Sequence, residues 1–515
     1  MSPSSDSGLH SCVEPDERWP LLSQQTASGQ EDAMTNATAQ HHSRDAKEDF
    51  SRRSMLLCSL PIILIVFIES SSILQSIPFN QVLEENICRR MYADSTRPNN
   101  SQCGDDNAVQ AELATLQGWQ TTFDLIPSIV TGIPYGFAAD KYGKKPVLIL
   151  CVAGMSMASL FYTAVCFWPQ QFPVRLTWVS PAFMLIGGGN AVLSSVVFSA
   201  LSDLVPGPYR ATTFFTLGAA VLVTELVVSP VASVLMQANL WLPIFLGIIL
   251  FPVCILLVLC MEETKGPSVF SDQASPGLIS ADSSTGQDEE VERGHKHSNI
   301  WVRFCHGLER LKEGTVFFVA GNYRVAFLLS TLLTTTFGKT AQEMMLQFAR
   351  RRFKWSWSEA GNLISYKAAS TLVLLTILLP MANFFLVKKW AMRAIDKDLF
   401  LAKISSMLLT VGNLVICVSA TSAFFLFGIM IWCLGSAYSL VLRSLLTQLA
   451  EPHHRAALFT TAAILENIGG ISAGPVLAAS FRIGLSLGDI WAGLPFLLCA
   501  ILSMATLAIL YSVRA

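Results

Sequence analysis

The chain has 515 residues, of which 52% are hydrophobic and 14% charged, against about 25% charged in an ordinary soluble protein, and its mean hydropathy is +0.48. This composition specifies a membrane protein, and a net charge of −2 speaks against a nucleic-acid partner. The twelve cysteines form no Cys-x-x-Cys pair and no metal-like Cys/His spacing, so no metal and no other cofactor is expected.

Residues 1–54 are polar, lack the apolar core of a secretory signal and read as a disordered cytoplasmic tail. Within it, Glu17-Arg-Trp-Pro-Leu21-Leu22 has the pattern of an acidic dileucine sorting signal; a plain solvated tail is the alternative. A bilayer-spanning helix needs about 20 apolar residues. Twelve such runs follow: 55–79, 114–138, 146–168, 176–202, 211–236, 240–261, 325–348, 358–387, 399–420, 424–447, 456–480 and 490–512. The polar stretch 262–314 separates them into halves of six, giving an N-terminal half 55–261, a central cytoplasmic loop 262–324 and a C-terminal half 325–515.

Basic residues in short loops set orientation. Arg52, Arg53, Lys141, Lys144, Lys145, Arg210, Lys388, Lys389, Arg393, Lys397 and Arg455 fall on one side with both termini, which is therefore expected to be cytoplasmic. Arg350, Arg351, Arg352 and Lys354 oppose the rule and fall outside; snorkelling to lipid headgroups is the reading for them. Loop 80–113 also lies outside. It carries the glycosylation acceptor Asn99-Asn-Ser101. Its Cys88 and Cys103 form either a disulfide or two free thiols. The sequon Asn36-Ala-Thr38 falls on the cytoplasmic tail and should stay bare.

The halves repeat. Pro134 matches Pro380 and Pro206 matches Pro452 at one shift; one residue out of step, Arg210 matches Arg455, Phe214 matches Phe459 and Pro230 matches Pro475. Two such halves put a binding site near the bilayer midplane, at their interface, with alternating access by rocking.

Charges inside spans mark function by default. Glu69 lies in the first span, Asp124 in the second, Glu225 in the fifth and Glu466 in the eleventh. Carboxyls in such walls suit proton coupling, the alternative being static pairing to a neighbouring helix. Lys339 and Glu343 lie in the seventh span, Lys367 in the eighth and Arg443 in the tenth, as candidates for the substrate cavity. For these the alternatives are mutual neutralisation of Lys339 and Glu343, four residues apart, and headgroup contact for Glu343, Lys367 and Arg443. The third, sixth and twelfth spans carry no charge, and the ninth has only Lys403 near one end.

Residues 136–145, Gly-Phe-Ala-Ala-Asp-Lys-Tyr-Gly-Lys-Lys, join the second and third runs. This turn resembles the signature loop of the major facilitator superfamily, the twelve-helix secondary transporters, and the resemblance extends over nearly the whole chain from residue 55. It implies an all-α membrane fold of two pseudo-symmetric six-helix halves, with the third helix of each triplet facing lipid. It implies that Asp140 caps the next helix and pairs with basic residues near Arg455, latching the cytoplasmic side. Gly136 and Gly143 would allow close approach and a tight turn, and Lys144 and Lys145 would anchor at the inner leaflet. Asp203 and Arg210, between the fourth and fifth spans, would join the same charge network. In the second half Leu386 stands where Asp140 would be and Lys389 where Gly143 would be, so the signature is present once.

Gly187-Gly-Gly189-Asn190 and Gly493-Leu-Pro-Phe496 are similar to fungal members of the superfamily. The glycine triplet serves close helix packing or exposes Asn190 as a substrate contact. Two departures concern the direction of transport. The fifth span reads Glu225-Leu-Val-Val-Ser229-Pro230, without the glycines of drug–proton antiporters; a closer copy, Gly470-Ile-Ser-Ala-Gly474-Pro475, lies in the eleventh. The fourth span lacks the buried Arg of many such antiporters.

The expectation is a monomeric, proton-coupled carrier of a small organic molecule, without enzymatic activity, moving protons and substrate through the lipid bilayer. Efflux of a drug or secondary metabolite at the plasma membrane comes first. Uptake or vacuolar transport, as in folate-type transporters, is the alternative, with a non-transporting sensor behind both. No nucleotide-binding Gly-x-x-x-x-Gly-Lys-Ser/Thr loop is present, which excludes ATP-driven pumping.

Overall fold

A computed structural model describes residues 59–92, 100–205, 207–261, 323–389, 393–449 and 455–512. The dileucine pattern, both sequons (Asn36 and Asn99), most of the central loop, Pro206 and Pro452 lie outside the described residues, as do the side chains of Arg210 and Arg455.

Every regular element among the described residues is helical. Ten helical segments are long and apolar enough to cross a membrane: α1 (Ser59–Met91), α3 (Lys144–Phe167), α4 (Val174–Leu204), α5 (Thr212–Ala238), α6 (Trp241–Cys260), α8 (Trp357–Phe384), α9 (Ile395–Val418), α10 (Ser422–Gln448), α11 (Thr461–Leu487) and α12 (Asp489–Ser512). Two more, α2 (Asn107–Tyr142) and α7 (Tyr323–Phe353), have 36 and 31 residues.

Several helices run past their apolar cores. The helix α1 continues to Met91 instead of ending near 79, because Phe79, Val82, Leu83 and Ile87 recur at helical spacing and pack in one core with Val109, Leu113 and Leu116 of α2. Most of the expected outer loop is thus helix, and a Cys88–Cys103 disulfide with Cα atoms 5.9 Å apart joins the end of α1 to the short helix Asn100–Asp105.

The halves touch most extensively through two crossings, α2 with α11 and α5 with α8. The repeat explains both. Gly474 in α11 and Ser229 in α5 each precede a matched proline. A Cβ on Gly474 would sit 2.2 Å from the carbonyl oxygen of Gly118 in α2, so only glycine permits this approach. At the other crossing, Ser229 Oγ donates to the carbonyl of Gly361 in α8 at 2.6 Å. The helices α3, α6, α9 and α12 make their main contacts within their own half.

All α2–α11 contacts described at atomic level lie toward the disulfide end: Gly118 on Gly474, Thr122 Oγ1 donating to Ile471 at 2.8 Å, and Leu125 against Gly470. Toward the signature loop, Ile126, Ile129, Val130, Ile133 and Phe137 of α2 and Ile464 and Ile468 of α11 are exposed. Among the described residues, the halves meet at the disulfide end and part at the signature-loop end.

The fourth span is not one continuous α-helix. A tight helix ends at Ile186, Gly188 and Gly189 take φ of 84° and 68°, and an α-helix restarts at Gly189. The triplet serves this break as well as packing, since left-handed backbone favours glycine.

Candidate functional site

At the disulfide end a buried network spans the halves. Glu84 of α1 is 2% exposed. Its carboxylate accepts from Arg350 of α7 at 2.9 and 3.3 Å, from Trp357 Nε1 of α8 at 2.7 Å and from Gln110 of α2 at 3.2 Å. Gln347 of α7 donates to the Gln110 carbonyl at 2.7 Å. Nearer the surface, Arg351 pairs with Asp489 at 2.8 Å and Lys354 with Asp105 at 3.1 Å. The Arg350–Arg352 cluster therefore does not snorkel into headgroups: Arg350 and Arg351 side chains are 15% and 12% exposed, consumed by partners across the molecule. Arg352 instead donates to the Asp489 carbonyl at 2.9 Å.

Deeper in, both halves contribute charge. Glu225 of α5 pairs with Lys367 of α8 at 3.4 Å, and Glu69 of α1 lies within the electrostatic reach of both. Asp124 of α2 accepts from Gln120 at 3.0 Å, one helical turn before it. Glu343 of α7 accepts from Thr121 of α2 at 3.3 Å. Glu343 thus faces the N-terminal half, and among the described residues it forms no ion pair with Lys339, so the two do not neutralise each other. Arg443 is no headgroup contact: it donates to both oxygens of Glu466 at 2.7 and 2.8 Å.

Lys339 lines a cavity of about 140 Å³ inside the C-terminal half, with Gln342, Asn413, Trp432, Tyr438 and Ser439 among its walls. Asn190 is exposed immediately after the α4 break.

The signature loop departs from expectation in three ways. The helix α3 has Gly143 as its N-cap with no side-chain cap, so Asp140 does not cap it. Asp140 is exposed and, among the described residues, has no ion-pair partner; the side chain of Arg455, its expected partner, lies outside them. Lys144 does not anchor in headgroups but is 5% exposed and pairs with Asp203 of α4, while Lys145 donates to the carbonyls of Leu259 and Met261 at the end of α6, at 2.6 and 3.1 Å. Of the two glycines, Gly143 has φ 101°, whereas a Cβ on Gly136 would meet nothing within 4 Å, so close approach does not require glycine there in this conformation.

Sequence reading overlooked Glu84, Gln110, Gln347, Trp357 and Asp398. The last is 4% exposed at the start of α9, accepting from Ser444 and Gln448 of α10 at 2.6 Å each. It joins α9 to α10 as the Lys144–Asp203 pair joins α3 to α4, with the acid on the other partner. Among the described residues, no cluster of three or more His, Cys, Asp or Glu groups could hold a metal ion.

The family model of the Major Facilitator Superfamily matches residues 108–474. The chain belongs to the Major Facilitator Superfamily. It is an integral multi-pass transporter of that superfamily, with the helical fold described above. It is 31% identical to the MFS efflux pump atnC of Emericella nidulans, over 85% of this chain and 83% of that one. It is 29% identical to the efflux pump ustT of Aspergillus flavus, over 79% and 78%. Among solved structures, a D-xylose–proton symporter superposes with a TM-score of 0.54 at 14% identity, covering 87% of this chain and 96% of that one; this likeness concerns the fold.

Proposed function

We propose that this transporter exports an amphipathic organic molecule, a drug or secondary metabolite, in exchange for protons at the plasma membrane. The signature-loop end faces the cytoplasm and the disulfide end faces outward, following the basic residues of the short loops. The conformation described is then inward-open, and alternating access consists of breaking the Glu84 network while the signature-loop end closes. The relatives called efflux pumps support the direction of transport.

The observation that carries the reading is the set of carboxyls supplied by both halves: Glu69 and Glu225 beside Lys367, and Asp124 with Glu343 on facing helices. Ionisable groups placed in this way inside a membrane mark ion pathways. A proton taken up by Glu225 releases Lys367, and one taken up by Glu343 or Asp124 removes charge from the α2–α7 interface. Either event changes the attraction between halves, which is what coupling requires. Glu466, with both oxygens held by Arg443, serves structure in this reading.

The test is transport in inverted plasma-membrane vesicles from cells that overproduce the protein, screened with a panel of amphipathic compounds. Accumulation in the vesicle lumen that collapses with an uncoupler supports proton-coupled export. Accumulation indifferent to the uncoupler refutes coupling, and uptake only into right-side-out vesicles refutes export.

A further inference from the structure

Resting on that reading, we infer that the exported molecule carries a carboxylate or equivalent anionic group, and that Lys339 receives it in the cavity within the C-terminal half. Three basic residues other than gate residues lie well inside the spans: Lys339, Lys367 and Arg443. Lys367 is matched by Glu225 and Arg443 by Glu466. Lys339 is exposed to the cavity and, among the described residues, has no ion-pair partner. An ammonium that faces a cavity inside a membrane span without a matching acid marks a substrate or ion path by default.

A second, independent observation points into the same cavity. Asn413 of α9 is 2% exposed, its amide nitrogen donates to the Leu409 carbonyl at 2.9 Å, and its Oδ1 has no hydrogen-bond partner. A buried amide oxygen left unpaired costs free energy, so the wall presents an acceptor awaiting a donor. Lys339, Asn413 and Ser439 line a space whose walls also include Trp432 and Tyr438. Its volume of about 140 Å³ is close to that of a cavity known to take a benzene ring, ~150 Å³. The chemistry that fits is an aromatic or similarly flat acid: carboxylate on Lys339, ring against Trp432, and a hydroxyl or N–H of the ligand on Asn413. Lys339 is thereby a specificity residue, distinct from the proton-handling acids.

The test uses benzoate, neutral benzamide and cationic benzylamine, nearly equal in shape, binding to the full chain in nanodiscs by saturation-transfer NMR. Benzoate is expected to bind roughly tenfold tighter than either isostere, the value of one charged hydrogen bond. Lys339→Gln should erase that preference, and Lys339→Arg should keep it. Absence of a benzoate preference in the parent protein, or its persistence in Lys339→Gln, overturns the assignment; size-exclusion profiles confirm that each variant is folded. No proton gradient is present in this measurement. A preference for benzoate in a protein that fails the uncoupler test leaves the anion site standing and sinks only the export mechanism. Proton-driven export without the preference does the reverse.

Discussion

Glu84→Gln tests the two-ended gate most directly. The substitution keeps the shape of the side chain and removes its charge. Glu84 is 2% exposed and its partner Arg350 is 15% exposed on the side chain, so the pair is buried. Removing one member of a buried pair costs about 3–5 kcal/mol, chiefly through the charge left behind. Arg350 keeps a hydrogen bond to the Trp355 carbonyl at 2.9 Å, which places the cost near the lower value, ~3 kcal/mol. Because Glu84 and Arg350 sit on opposite halves, the cost falls only on the state closed at the disulfide end. A loss of ~3 kcal/mol in one of two states shifts their ratio by roughly 100-fold. Hydrogen exchange of the full chain in nanodiscs reads this shift: faster exchange around residues 347–357 and slower exchange around 126–142. Unchanged exchange at both ends in a folded Glu84→Gln protein refutes the argument, since the pair would then be indifferent to the conformational equilibrium.

Asp140→Asn should leave thermal stability within about 0.5 kcal/mol, as expected of an exposed side chain, while lowering turnover; normal turnover would show that Asp140 latches nothing. Gly474→Ala places a methyl 2.2 Å from the Gly118 carbonyl and should open the disulfide end in the same exchange experiment, whereas Gly136→Ala, in open space, should not; equal effects would contradict the close-contact reading. Val130→Asn, at a position 60% exposed, should cost little in this conformation yet weaken closure of the signature-loop end by about 1 kcal/mol. In the Glu84→Gln background it should therefore restore part of the original exchange pattern, and a further shift in the Glu84→Gln direction would show that the α2 face does not close.

Span positions were legible because hydropathy and length are local properties. So was the placement of charge, since a lysine or glutamate inside an apolar run announces itself. The repeat aligned Pro230 with Pro475, but only the fold shows that Ser229 and Gly474, the residues before them, sit where the halves touch. The Arg350 cluster was not legible because its meaning depends on Glu84, 266 positions away, with nothing in the intervening chain to link them. Loop position alone left lipid headgroups as the default partner. The Gly187–Gly189 triplet was legible only in part: Gly187 does pack closely, against Cys151. Glycine serves close packing and left-handed backbone equally well, and only the φ angles of Gly188 and Gly189 show that the helix breaks there. Lys144 illustrates a third limit: the basic-residue rule assigns a side correctly or not for a whole loop, but it does not say which lysine is buried against Asp203.

The two ends of the transporter hold their closed states by different physics, and the difference follows from the residues available. At the disulfide end the weight rests on one buried, multiply bonded carboxylate; the exposed pairs around it, Lys354–Asp105 among them, add about 0–1 kcal/mol each. At the signature-loop end the Lys144–Asp203 pair lies within one half and is silent when the halves move. Among the described residues, what remains there is Asp140, exposed, and an apolar face of α2 whose Ile126, Ile129, Val130, Ile133 and Phe137 are 39–60% exposed. Fully burying one such side chain stabilises by about 1.5–3 kcal/mol, so even partial burial of five supplies several kcal/mol. That matches the order of the Glu84 contribution. A carrier needs this match, because states separated by more than a few kcal/mol leave one of them unpopulated. Apolar burial is also insensitive to protonation, whereas Glu225–Lys367 and Asp124–Glu343 are not. Protons can therefore tip a balance that the apolar face and Glu84 have already brought close to even.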